Sequence, residues 1–166
     1  MRRDLDAHNR LLFTPRFPAK RRYNSPKPHM SLIGVGGNLG PLKRRFDQLV
    51  MRLQSDAAID LLESSPLLLN PDFAASDTPP FLNGVLLVAT TLSPSGLLRR
   101  LHYYERRFGR RRPYKNAPRT LDLDIIFFES KRLYNGPLRI PHPHWSKRPS
   151  VVVPMLWITG RFQGDR

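Results

Sequence analysis

The sequence predicts an α+β fold, the ferredoxin-like βαββαβ sandwich: an antiparallel sheet with helices on one face, extended at its C-terminal end by a hairpin and loop. Two observations lead there. Apolar residues fall at helical spacing in two stretches (Leu42, Phe46, Leu49, Val50, Leu53, and Leu97, Leu98, Leu101, Tyr104, Phe108), and in strand-like runs over 31–36, 58–69, 81–92 and 120–128. Their order along the chain is strand, helix, strand, strand, helix, strand. At 166 residues the chain has the length of one domain with its own core.

Taken in order, residues 1–29 read as a basic, disordered N-terminal arm, followed by one domain over 30–166. The arm holds eight Lys or Arg, two acidic residues and prolines at 15, 18, 26 and 28, with no surviving period. Residues 31–36 form a strand entering the glycine turn GVGGNLG, and a helix follows Pro41. Strands over 58–69 and 81–92 flank the turn-rich NPDFAASDTPP. Ser93-Pro94 opens the second helix with a capping hydroxyl and a proline at its first position, and Gly109 closes it. A basic loop leads into the strand LDLDIIFF, then come a hairpin at Asn135-Gly136, a Pro/His loop and a last apolar run, 151–158.

Composition removes several function classes. Cysteine is absent, which excludes a disulfide framework, a thiolate metal site and a cysteine nucleophile. No apolar run approaches the roughly 18 residues that span a bilayer, and the N-terminus lacks the apolar core of a secretory signal, so a cytoplasmic protein without membrane contact is expected. Lys and Arg outnumber Asp and Glu by 28 to 13, a net charge of +15 that draws polyanions of any kind.

Against that excess of positive charge, Asp122 and Asp124 stand out. Alternation places them on one strand face with Ile126 and Phe128, opposite Leu121, Leu123, Ile125 and Phe127. Two carboxylates about 6.5–7 Å apart repel unless cations lie between them. Oxygen donors without thiolates favour hard ions such as Mg²⁺ that share their coordination with phosphates. A strand end emerging into solvent, or pairing with arginine, is the simpler alternative. The preceding loop carries Arg110, Arg111, Arg112, Lys115 and Arg119, which adds a phosphate-binding half to the metal-binding one. In RIPHPHWSKR, two prolines fix His142, with Lys147 and Arg148 shortly after. Gly34, Gly36 and Gly40 miss the dinucleotide fingerprint by one position and no P-loop exists, so these glycines read as backbone freedom in a turn.

GVGGNLG, DTPPFLNG with the later E and GR, APRTLDLDIIFF and IPHPHWSKR together resemble the 6-hydroxymethyl-7,8-dihydropterin pyrophosphokinases of folate biosynthesis, over most of residues 31–158. The resemblance implies transfer of pyrophosphate from MgATP to the pterin hydroxymethyl group, with release of AMP. It implies two Mg²⁺ ions on Asp122 and Asp124, and ATP as co-substrate. Arg110, Arg119, His142 and Arg148 would contact the phosphates, Asn83 would read the polar edge of the reduced pterin, and Phe81 would stack on its ring. Leu69 and Pro71 fall in the segment lining the pterin pocket, where Leu69-Asn70-Pro71 replaces the family's Thr-Pro-Pro. Leu98, His102, Ile125 and Leu138, together with Arg119 and His142, fall near the ATP site, and Glu105 falls on a motif position. Asn116-Ala117 replaces Trp-Gly, Ser150 stands at an often aromatic position, and the family's tail is largely absent after Ile158. A monomer without obligate nucleic acid is expected. The competing expectations are a nucleic-acid-binding protein of the same fold, and a relative that has lost turnover.

Overall fold

The computed structural model describes residues 1–21, 24–71, 78–111, 113–115 and 117–159. Residues 22–23, 72–77, 112, 116 and 160–166 lie outside them, and with them the expected loop over 72–77, the basic positions Arg22 and Arg112, and Asn116.

The first surprise is the N-terminal stretch. In place of a disordered arm it forms β1 (Arg2–Asp4), β2 (Arg10–Leu12) and β3 (Ala19–Lys20). Leu11, Leu12 and Phe17 are buried, and Phe17 is fully enclosed. Each strand is only two or three residues long, too short for a period to register in the sequence, and the burial of a few side chains outweighs the basic, proline-rich composition.

The remaining elements are β4 (His29–Gly37), α1 (Leu42–Gln54), β5 (Ile59–Ser64), β6 (Leu67–Asn70), β7 (Phe81–Thr90), α2 (Pro94–Arg107), β8 (Asp122–Phe128), β9 (Leu133–Asn135), β10 (Leu138–Ile140) and α3 (Pro149–Met155). Both long helices begin as their residues dictate. The Ser93 hydroxyl accepts the Gly96 N–H at 3.1 Å, and α1 buries Phe46, Leu49, Val50 and Leu53. The expected hairpin is β9–β10, with Gly136 at φ +55° in its turn.

The main sheet runs β1–β2–β6–β7–β4–β8, with every pairing among the described residues antiparallel. The single strand expected over 58–69 is two, β5 and β6, which share one edge of β7. They part at Ser65-Pro66, because proline has no N–H to give the ladder, and the Ser65 hydroxyl accepts the Val85 N–H at 3.0 Å.

One sheet face packs on α1 and α2 and holds the principal core, including Ile33, Val35, Leu86, Val88, Leu123 and Ile125. The other face carries a smaller cluster, Leu32, Val85, Leu87 and Ile126, covered by Val151 of α3. Helices therefore lie on both faces, contrary to the expectation. α3 covers only part of the second face and leaves the rest as a cleft.

Strict alternation along β8 also fails, at a bulge. Register shifts between Leu32 and Ile33, which face Phe127 and Ile125, so Ile126 is the extra residue. Phe128 thereby turns into the principal core, and Phe127 joins Ile126 on the cleft side, its ring edge-on to Trp145 at 4.8 Å. The aspartates lie before the bulge and keep the expected face.

Candidate active site

A cleft of about 350 Å³ opens on the second face, with β4, β7 and β8 as its floor and the start of α3 as one wall. Register explains its shape. Asn83, Gly36 and Asp122 stand directly opposite one another on β7, β4 and β8, and Val85, Gly34 and Asp124 form the next row. The middle strand thus offers no side chain between amide and carboxylates. Gly34 and Gly36 were expected to serve a turn, but they lie inside β4 and act by what they omit. A Cβ at Gly36 would come within 2.7 Å of Asn83 Oδ1. Only Gly40, at φ +83°, fits the turn reading.

The two carboxylates are held differently. Asp122 Oδ1 accepts from Arg110 Nη2 at 2.7 Å, and its Oδ2 from Arg119 Nη1 at 2.6 Å. Among the described residues Asp124 has an ion-pair partner only in His142, whose Nε2 lies 3.9 Å from Oδ2, and its side chain is 44% exposed. Partial desolvation between the cleft walls, with Asp122 beside it, raises its carboxyl above the usual range, while His142, Arg148 and Arg110 oppose the rise.

Behind Asp122 lies a buried relay. Glu105 of α2 ion-pairs with Arg110 and accepts the Leu123 N–H at 2.7 Å. That N–H belongs to an edge strand that would otherwise lack a partner there. Burial raises the Glu105 carboxyl, opposed by the Leu123 N–H and by Arg110. On the other side, the GNLG turn fixes Arg119: Asn38 Oδ1 accepts the Arg119 N–H at 2.8 Å, and the Asn38 and Leu39 N–H groups donate back to its carbonyl. His142 is anchored by its N–H on the Ile126 carbonyl at 2.9 Å, and its ring Nδ1 donates to the Pro143 carbonyl at 2.8 Å, which turns Nε2 toward Asp124.

Of the residues singled out in the sequence, Phe81, Asn83, Arg119, Asp122, Asp124 and Arg148 line the cleft together. Arg110 stands behind them, its side chain only 8% exposed between Glu105 and Asp122. His142 reaches the cleft through Asp124. Leu69 does not line the cleft; it lies on the opposite face, packed against the principal core, and Pro71 is half-buried just past β6. Ile125 and Leu138 are buried in the principal core, Leu98 packs against it, and His102 is half-buried on α2. Asn70, Lys147 and Ser150 line the cleft without having been assigned a role. Parity along β6 was the available signal for Asn70: it sits opposite Phe81, as Leu68 sits opposite Asn83. Among the described residues no group of three or more His, Cys, Asp or Glu is placed to hold a metal ion by itself. The donor set still suits a hard ion, since both carboxylates give oxygen, share one face and border a cleft that a phosphate could complete.

Comparison with known proteins bears on the same residues. The model of the 7,8-dihydro-6-hydroxymethylpterin-pyrophosphokinase family matches residues 32–160. A 2-amino-4-hydroxy-6-hydroxymethyldihydropteridine pyrophosphokinase of Campylobacter jejuni is 40% identical over 127 residues, covering 76% of this chain and 81% of that protein. Its namesake in Helicobacter pylori is 38% identical over 126 residues, 75% and 77% of the two chains. The folate synthesis bifunctional protein of Arabidopsis thaliana is 33% identical over 132 residues, which cover 80% of this chain but 24% of that longer protein. With the matched segment spanning the whole floor of the cleft, the chain belongs to the 7,8-dihydro-6-hydroxymethylpterin-pyrophosphokinase family.

Proposed function

We propose that the chain transfers the terminal diphosphate of ATP to the hydroxymethyl oxygen of 6-hydroxymethyl-7,8-dihydropterin, releasing AMP, as a step of folate synthesis. The observation that carries the reading is the row Asn83–Gly36–Asp122, which sets an amide for a heterocycle and a carboxylate for a phosphate-bound cation on either side of a bare strand. The named relatives support the same chemistry.

In this reading Phe81 stacks on the pterin and Asn83 fixes its polar edge, so that the hydroxymethyl group points along the glycine floor toward the aspartates. The hydroxyl oxygen attacks the β-phosphorus in line, and the bond from that phosphorus to the α-β bridging oxygen breaks, leaving AMP. Two Mg²⁺ ions on Asp122 and Asp124 would neutralise the polyphosphate and draw charge from the leaving oxygen. Arg119 is the more exposed of the two arginines on Asp122, so an incoming phosphate competes for it and frees Oδ2. Arg110, locked to Glu105, keeps Asp122 oriented during that exchange. Arg148 and Lys147 on the α3 wall take up charge on the far side. No protein nucleophile is required, because such chemistry asks mainly for positioning and charge.

The ferredoxin-like reading of the framework rests on the order β5/β6–β7–β4–β8 of its long strands, with α1 and α2 on one face. No described helix is long and apolar enough to cross a membrane.

The test is AMP release from ATP in the presence of the pterin. Wild type should release it, and Asp124→Ala should lose about a thousandfold in rate, the scale of removing a group that stabilises transition-state charge. A near-wild-type rate in the variant would overturn the reading.

A further inference from the structure

Asn70 has no assigned part in the reaction, and it stands in a segment where the family carries Thr-Pro-Pro. Its side-chain oxygen accepts Asn83 Nδ2 at 2.9 Å. The two residues lie on adjacent strands, one register step apart, on the cleft face beside Phe81. The Asn83 oxygen lies over Gly36, where a Cβ would be 2.7 Å away. The pair is therefore oriented: one N–H of Asn83 Nδ2 is committed to Asn70, and the Asn83 oxygen lies over the bare floor of the cleft.

From this arrangement we propose that Asn70 is a specificity-determining residue of the pterin subsite, one that selects a 4-oxo ring edge over a 4-amino one. The proposal rests on the pyrophosphokinase reading above. Once Asn70 has given its oxygen to Asn83, its amide nitrogen is left as a donor, because it donates to no described residue. Asn83 Oδ1 is the neighbouring acceptor. A donor beside an acceptor complements a lactam, which presents a carbonyl at C4 and an N–H at N3. A 4-aminopteridine presents the reverse, an amino donor at C4 and an unprotonated N3. Against the Asn70–Asn83 pair it would set donor against donor and acceptor against acceptor. A site built to hydrogen-bond its ligand rejects a mismatched analogue strongly, because its own polar groups are left unpaired.

The experiment compares 6-hydroxymethyl-7,8-dihydropterin as substrate with its 2,4-diamino counterpart as competitive inhibitor, in wild type, Asn70→Asp and Asn70→Leu. Wild type should favour the pterin by about a hundredfold, the upper end of what a buried donor or acceptor left without its partner costs. Asn70→Asp still accepts from Asn83 but swaps the free donors for an acceptor. Its KM for the pterin should rise about tenfold, and its inhibition constant for the diamino compound should fall, with KM for ATP unchanged. Asn70→Leu should lose pterin affinity without gaining the analogue. If the ratio of the two affinities is the same in Asn70→Asp as in wild type, or if KM for ATP rises in parallel, Asn70 is no specificity determinant and this inference fails while the function stands. Absence of AMP release from wild type with the pterin would overturn both.

Discussion

At the scale of single residues, Asp122 and Asp124 share a strand face but not an electrostatic state. Asp122 has an arginine on each oxygen, whereas Asp124 faces the cleft with His142 at 3.9 Å as its one ion-pair partner among the described residues. The charge of Asp124 is thus a cost to the fold. The sign can be worked out from its raised carboxyl. A group whose folded pKa lies above its unfolded value contributes stability below the unfolded value, and that contribution is lost as pH rises through the folded one. Asp124→Asn removes this titration. In chelator, without nucleotide, the variant should melt at a higher temperature than wild type at pH 7–8. The gap should close below about pH 4, where the wild-type carboxyl is protonated folded or unfolded. Thermal scans across that range check it, and an Asn variant less stable than wild type at pH 8 would show the carboxylate to be well paired.

At the scale of elements, the active strand is held by a helix that contributes almost nothing to the cleft surface. β8 is an edge strand, and α2 reaches it through Glu105, which satisfies the Leu123 N–H and pairs with Arg110, itself on Asp122. Replacing Glu105 with Ala leaves the nearly buried Arg110 guanidinium half-partnered, and its own Nε already has no hydrogen-bond partner among the described residues. Breaking such a pair costs about 3–5 kcal/mol, and adding Arg110→Ala should recover part of it. Urea unfolding of the single and double variants measures the coupling, and additive losses would mean the relay carries none. Elements of this kind also mark what could be read beforehand. α1 and α2 were legible because each has a continuous apolar stripe, with the Ser93-Pro94 start added for α2, and the aspartate face of β8 was legible because alternation holds up to Ile125. The bulge at Ile126 was not, since extra residues in a ladder depend on the partner strand. The split at Ser65-Pro66 had a signal that went unused, because Glu63-Ser64-Ser65-Pro66 interrupts the apolar residues of 58–69. Residue type alone did not show that Asn70, rather than Leu69, turns into the cleft; that needed the β6 register.

At the scale of the whole molecule, the N-terminal segment is built into the framework although it precedes the matched residues 32–160. β2 covers the edge of β6 and β3 pairs with β5, so two edges open to association are closed by the chain itself. Between those strands, Thr14 donates to Asp47 of α1 at 2.6 Å, and within β3 Lys20 ion-pairs with Glu63 at 2.9 Å. Glu63 also accepts from the backbone and hydroxyl of Thr159, just past α3. The segment therefore fastens α1, β5 and the stretch after the α3 wall to one another, and Phe17 is its anchor in the core, 6.2 Å from the Phe46 ring. Phe17→Ala should cost about 3–5 kcal/mol, the range for emptying a fully buried aromatic site, and should lower the urea midpoint without changing the slope. The same substitution in a solvated basic arm would cost less than about 0.5 kcal/mol. Those two ranges do not overlap, so one denaturation curve distinguishes a segment that belongs to the fold from one that merely precedes it. A small loss would return residues 1–21 to the status their composition suggested.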